Sequence, residues 1–259
     1  MPFNSFASDI SLILHGEAND NPTILFLHGA GMDHTVWSEQ ITPLINAGFH
    51  VAELDLPQHG SSKGEAASSI TDMAEDVISI INASGLEDIL ITGHSMGALI
   101  SLAVAASGNK NVSSACFCGV SSRMPVHPDL LGLAEANDIA AAKMIAKWSY
   151  GSALSDEAKE ARIDTTITLV DGCADGVLGK DMNACNNFSE AQELTEKIDI
   201  PVLLLLGEED KMTPVKGGEK LEAMLSKSHK VILPKAGHMM MQEDAEGFNK
   251  ALMDFAGIE

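Results

Sequence analysis

Short, nearly continuous apolar runs alternate along this chain with longer stretches of helical spacing. Thr23 to Leu27, His50 to Leu54, Ile89 to Thr92, Val112 to Val120, Pro201 to Leu206 and Lys230 to Leu233 are the apolar runs. Such runs are the pattern of strands covered on both faces by crossover helices. Between them a helix is predicted over Glu39 to Ala47, stopped by Gly48. A second opens at Ser69, with Asp72 three residues on as a capping box and Met73, Val77, Ile80 and Ile81 as its apolar face. Ala98 to Ala106 is small, apolar and helix-compatible. Near the start, Phe3 to Ala7 and Ile10 to Leu14 could form an edge pair of strands, closed by the Asn19-Asp20-Asn21-Pro22 turn.

Residues 121 to 197 interrupt this rhythm. Pro125 and Pro128 punctuate the start, Ala134 to Trp148 reads as one helix, Ser155 caps a second, and Ser189 with Gln192 caps a third. No convincing strand occurs in this block. The alternation resumes at Pro201, with Thr213-Pro214 expected as N-cap and first residue of a helix to about Ser226, and a closing helix from Glu243 to Phe255. The predicted architecture is α/β: a mostly parallel central sheet with helices on both faces. Residues 1–120 and 198–259 form its core, and 121–197 a helical insertion.

Composition narrows the function. The chain has 259 residues, 45% of them hydrophobic, enough for one large core. Its net charge is −21, from 16 basic and 37 acidic residues, and Lys63 is the sole basic residue before Lys110. Nucleic acid and anionic membrane surfaces both require clustered Lys or Arg, so neither is expected as a partner. No apolar run approaches a bilayer span, and Met1 to Asp9 has neither basic residues nor the apolar core of a secretory signal. Cys116 and Cys118 would share a strand face, while Cys173 and Cys185 are isolated. None has metal-site spacing, so buried or half-buried thiols in a reducing cytoplasm are expected. No metal or cofactor is expected, and the chain is taken as a monomer or homodimer.

The chemistry centres on Gly93-His94-Ser95-Met96-Gly97, between an apolar run and a helix-compatible one. In a strand–turn–helix setting, G-x-S-x-G bends the chain so sharply that the serine backbone is strained and its hydroxyl stands clear of the sheet. Glycines on either side remove the collisions this bend would cause. A serine hydroxyl needs a base, and the base needs a carboxylate to fix its tautomer. His238 follows the last strand and Asp210 the one before it, both beyond the carboxyl ends where ligands bind in such sheets.

With Ser95, Asp210 and His238 in that chain order, the sequence resembles the α/β-hydrolase superfamily from the His28-Gly29 turn to the C-terminal helix. The resemblance implies Ser95 as nucleophile, His238 as base, Asp210 as orienting acid, and the backbone N–H groups of Ala30 and Met96 as oxyanion donors. It also implies that the insertion is a lid. Asp55 to Ser61 resembles the family's Asp-x-Pro-Gly-His-Gly-x-Ser loop with Gln58 in place of glycine, and Asp55 is expected to hold that loop together. Glu208 and Glu209 are rival acids. His28 and His94 flank the site as structural residues in such a fold; His59 and His229 read as solvated or packing histidines. Arg123, one of two arginines, could bind a substrate carboxylate or form a salt bridge at the lid hinge. The expected reaction is hydrolysis of a small or medium carboxylic ester through an acyl-enzyme. The alternatives are thioester or carbon–carbon bond hydrolysis, a cofactor-free perhydrolase reaction, or a ligand-sensing role with little turnover.

Overall fold

The computed structural model describes residues 9–257. In chain order it runs β1 (Leu12–His15), β2 (Thr23–Leu27), α1 (Ser38–Asn46), β3 (His50–Leu54), α2 (Ile70–Ser84), β4 (Ile89–His94), α3 (Met96–Ala106) and β5 (Val112–Cys118). Then come α4 (Pro128–Glu135), α5 (Ile139–Ser149), α6 (Asp156–Asp171), α7 (Val177–Asn187), α8 (Ala191–Thr195), β6 (Val202–Gly207), α9 (Val215–Glu222), β7 (Ser228–Leu233), α10 (Met240–Glu243) and α11 (Ala245–Phe255). The seven strands form one sheet in the order β1-β3-β2-β4-β5-β6-β7. Only β1, at the edge, is antiparallel to its neighbour; every other pairing is parallel. Leu27 and Phe117 flank Gly93, so three strands end together where the Ser95 turn begins.

The apolar runs became strands because helices cover both faces. Every residue of β2, β3, β4 and β6 is buried. α3, uniformly small and apolar, is buried along nearly its whole length against the sheet centre. On the opposite side Trp37 stacks on Phe26 with ring centroids 4.5 Å apart. Cys116 and Cys118 do share a strand face, their sulfurs 3.6 Å apart and buried. Among the described residues no helix is long and apolar enough to cross a membrane.

The expected sheet and helix alternation is present, with local differences. Ile10 to Leu14 contributes β1, which pairs with β3; Phe3 to Ala7 lies outside the described residues. The strand expected to Val120 ends at Cys118. The helix expected over Ala134 to Trp148 is two helices, because Asn137 takes a left-handed conformation (φ 52°) and Asp138 caps α5 by accepting from the Ala140 amide. α7 has no counterpart in the expected elements, and its N-cap is Gly176, a residue without a capping side chain to signal it. Ser189 does not cap α8, whose N-cap is Glu190. Thr213 does not cap α9: its hydroxyl is committed to Asp210, Pro214 takes the cap position, and the helix ends at Glu222. The closing helix begins at Ala245, capped by Asp244 accepting from the Gly247 amide.

Candidate active site

Ser95 sits between β4 and α3 with φ 55° and ψ −114°, the strained turn anticipated from its flanking glycines. A Cβ on Gly93 would meet the Gly97 carbonyl, and one on Gly97 the Leu27 and His28 carbonyls, so both glycines are imposed by close backbone approach. The Ser95 amide donates to the Cys118 carbonyl at 2.9 Å, fixing the turn to the end of β5. Met96 opens α3, where first-turn amides have no intrahelical partner. Ala30 lies in the loop after β2. Neither the Met96 nor the Ala30 amide donates to a described backbone carbonyl.

Asp210 and His238 come together from loops after β6 and β7. The His238 Nδ1–H donates to Asp210 Oδ2 at 2.8 Å, with both side chains buried. The Asp210 Oδ1 accepts from the Met212 and Thr213 amides at 2.8 and 2.9 Å, and Oδ2 from the Thr213 hydroxyl at 2.7 Å. Burial alone pushes the Asp210 carboxyl up, but the charge and hydrogen bond of His238 and the Thr213 donors outweigh it and hold it below its ordinary value. The rival acids point elsewhere: Glu208 accepts from the Lys235 amide and Glu209 from the Ser152 hydroxyl, both exposed.

Ser95, His238 and Ala30 line one cavity of about 340 Å³, whose remaining walls include Met124, Leu130, Trp148 and Met182. Most of that wall comes from the segment between β5 and β6. Arg123 is exposed and outside the cavity lining, and it makes no ion pair among the described residues. The cationic side chain on the lining is Lys211.

Further residues support the site, and of these Gly119, Ser149 and Glu243 belong to no motif. A Cβ on Gly119 would lie 3.1 Å from the His238 ring, so this glycine (φ 57°) makes room for the imidazole. His238 N–H donates to the Ser149 carbonyl at 2.6 Å. Glu243, buried, accepts from the Gly151 and Gly237 amides, each at 2.7 Å, tying the His238 loop to the end of α5. Burial lifts the Glu243 carboxyl to about 7. His94 donates through Nε2 to the His238 carbonyl at 2.9 Å, and burial, then the neighbouring His238, push it down to about 3. His28 accepts the Leu56 amide at Nε2 and donates from Nδ1 to the Gly29 carbonyl; burial, then His59, push it down to about 4. Asp55 holds its loop as expected, accepting from the Ser61 and His34 amides at 2.9 Å. His59, expected to be solvated or packing, is buried and paired with Asp181 at 2.8 Å, whereas His229 is exposed.

Residues 24–251 match the model of the alpha/beta hydrolase family. A pimeloyl-[acyl-carrier protein] methyl ester esterase of Neisseria meningitidis serogroup B is 30% identical over 249 residues, covering 90% of this chain and 92% of that protein. A 2-hydroxy-6-oxononadienedioate/2-hydroxy-6-oxononatrienedioate hydrolase of Pseudomonas putida is 27% identical, covering 95% and 93%. The crystal structure of an enol-lactonase from Burkholderia xenovorans LB400 superposes with a TM-score of 0.87 at 20% identity, covering 98% of this chain and 99% of that one. With its family model, its curated relatives and its fold in agreement, this chain belongs to the alpha/beta hydrolase family and is a hydrolase.

Proposed function

We propose that the chain hydrolyses carboxylic esters of small or medium acyl groups through an acyl-enzyme on Ser95. The observation that carries this reading is the buried Asp210–His238 pair opening, with the strained Ser95, onto one largely apolar cavity. His238 takes the Ser95 proton as the oxygen attacks the ester carbonyl, then returns it to the leaving alcohol; in the second half it draws a proton from water that attacks the acyl-enzyme. Asp210 holds the imidazole in the Nδ1–H tautomer and balances the imidazolium. The Ala30 and Met96 amides meet the tetrahedral oxyanion, each worth about 3 kcal/mol. The helical segment 121–197 acts as the lid that shapes the acyl pocket. At about 340 Å³ that pocket is near the lower end of small-molecule sites, which favours short chains.

The relative that acts on a carrier-bound methyl ester suggests a methyl or other small alkyl ester here, while the strong acidity of this chain disfavours a phosphate-bearing carrier arm. Carbon–carbon bond hydrolysis is a second reading, favoured by the 27% identical Pseudomonas putida relative; Lys211 rather than Arg123 would then face the substrate carboxylate. The four free cysteines suit a reducing compartment such as the cytoplasm.

The test is a fluorophosphonate label followed by p-nitrophenyl esters from acetate to palmitate, each beside Ser95→Ala. Labelling and turnover should vanish in the variant, and activity should peak at short chains. Labelling with no ester turnover would move the reaction to another acyl or carbon–carbon bond. Absence of labelling in folded protein would overturn the serine mechanism.

A further inference from the structure

A second buried carboxylate–histidine pair lies behind the loop that carries Ala30. Asp181, on α7, accepts at Oδ2 from the Gly31 amide and from His59 Nε2, both at 2.8 Å. Its side chain is fully buried, and Oδ1 has no partner among the described residues. His59 spends its other ring nitrogen on the Pro57 carbonyl at 3.0 Å, so both nitrogens face acceptors, an arrangement that favours the protonated ring. Its proton affinity agrees: burial pushes His59 down, but the Asp181 charge and hydrogen bond outweigh this and leave it raised.

The consequence falls on the two peptides flanking Ala30. His28 Nδ1 donates to the Gly29 carbonyl at 2.9 Å, and that carbonyl belongs to the same peptide plane as the Ala30 N–H. Asp181 holds the next plane through the Gly31 N–H. One turn earlier on α7, Leu178 packs so close to Gly31 that an added Cβ would sit 2.8 Å from its Cδ1. α7 also presents Met182 and Cys185 to the cavity, whereas neither Asp181 nor His59 lines it. One helix of the insertion therefore forms part of the pocket wall and grips the loop after β2.

We propose that Asp181, backed by His59, is a positioning residue for oxyanion stabilisation: through the Gly31 peptide it sets the direction of the Ala30 amide. The proposal rests on the reading of Ser95 and the Ala30 amide given above. It makes the helical insertion a participant in the transition state as well as a determinant of substrate size.

The experiment compares a short p-nitrophenyl ester, its product carboxylate and an alkyl trifluoromethyl ketone. Ser95 oxygen adds to the ketone carbon, its proton passes to His238, and the ketone oxygen becomes the anion facing Ala30 and Met96. Asp181→Ala should lower kcat about 10- to 100-fold and weaken the ketone by the same factor, with KM and product affinity within about twofold. Asp181→Asn keeps an acceptor for Gly31 and should recover most of kcat. Unchanged kcat in Asp181→Ala, or kcat, KM and product affinity worsening together, would overturn the proposal. Should Asp181→Ala fail to fold, His59→Gln decides: a smaller loss confined to kcat and ketone affinity supports it, and wild-type values overturn it. Turnover surviving in Ser95→Ala, or wild-type protein blind to the ketone, breaks the serine reading first and takes this proposal with it.

Discussion

At Ser95 the backbone is held with φ 55° and ψ −114°, where non-glycine residues pay about 1–3 kcal/mol. Ser95→Ala keeps that strain while removing the proposed nucleophile, and Ser95→Gly removes both. Both variants should lose ester turnover by about 10⁴-fold or more. Calorimetry should find the glycine variant melting about 2–4 °C above the alanine one, a net gain of about 1 kcal/mol after glycine's extra freedom in the unfolded chain. Equal melting temperatures would mean that the strain does not exceed glycine's cost in the unfolded chain. His28 and His94 set a pH dependence of definite sign. They are held neutral in the fold, at about 4 and about 3, whereas in the unfolded chain such rings protonate near 6.5. Their contribution is complete above about pH 6.5 and drains as the pH falls toward 4 and then 3, by about 1.4 kcal/mol per pH unit for each ring. His59, raised, has the opposite sign: its support is complete below about pH 6.5 and is lost as the pH climbs through its folded value. In His94→Gln, whose amide can still donate to the His238 carbonyl, urea stability between pH 7 and pH 4.5 should fall less steeply than in wild type. Parallel curves would show that His94 does not titrate in this way.

Among the elements, those dictated by backbone crowding or by continuous burial were legible, and those dictated by distant partners were not. The β4–Ser95–α3 turn announced itself because Gly93 and Gly97 stand where any side chain would strike a carbonyl. Gly97→Ala should accordingly force α3 away from β2 and give insoluble or molten protein, seen as lost near-ultraviolet dichroism; a soluble, active variant would contradict that packing. The α4–α5 break was hidden, since Ala134 to Trp148 has unbroken helical spacing and Asn137 is a mild helix breaker by propensity. What stops the helix is tertiary: Asn137 turns left-handed and its Oδ1 accepts the Gly176 amide at 2.7 Å, the residue before α7. Asn137→Ala loses that bond and pays for positive φ, so it should cost about 1–3 kcal/mol in chemical denaturation, whereas Asn137→Gly should cost less. Equal costs would place the whole effect in the hydrogen bond. Asp210 was separable from Glu208 and Glu209 only by pattern; the structure separates them by direction, one into the cavity loop and two outward.

For the molecule as a whole, the chain order of Ser95, Asp210 and His238 was readable because parallel strands deliver their C-terminal loops to one edge. The ties between the helices that lie between β5 and β6 and the loop after β2 were not, since Gly31 and Asp181 meet across 150 residues with no local signature. Arg123 illustrates the same limit: its position after β5 suggested the cavity, yet the cavity's cation is Lys211. That single cation faces the field of a chain with net charge −21. At low salt the field should repel an anionic ester from a distance while Lys211 attracts it at the mouth. The repulsion arises from the net charge of −21 and acts over roughly 10 Å at 0.1 M salt, whereas the Lys211 attraction is local and exposed to water. The long-range term should therefore control approach. Raising salt from about 20 to about 300 mM should lower KM for an ester ending in a carboxylate and leave that of a neutral ester of equal length unchanged. Lys211→Gln should raise KM for the charged ester alone, several-fold, at either salt concentration. A charged-ester KM that climbs with salt in wild type, and loses its salt dependence in Lys211→Gln, would reverse the ranking and make the local cation the dominant element of substrate recognition.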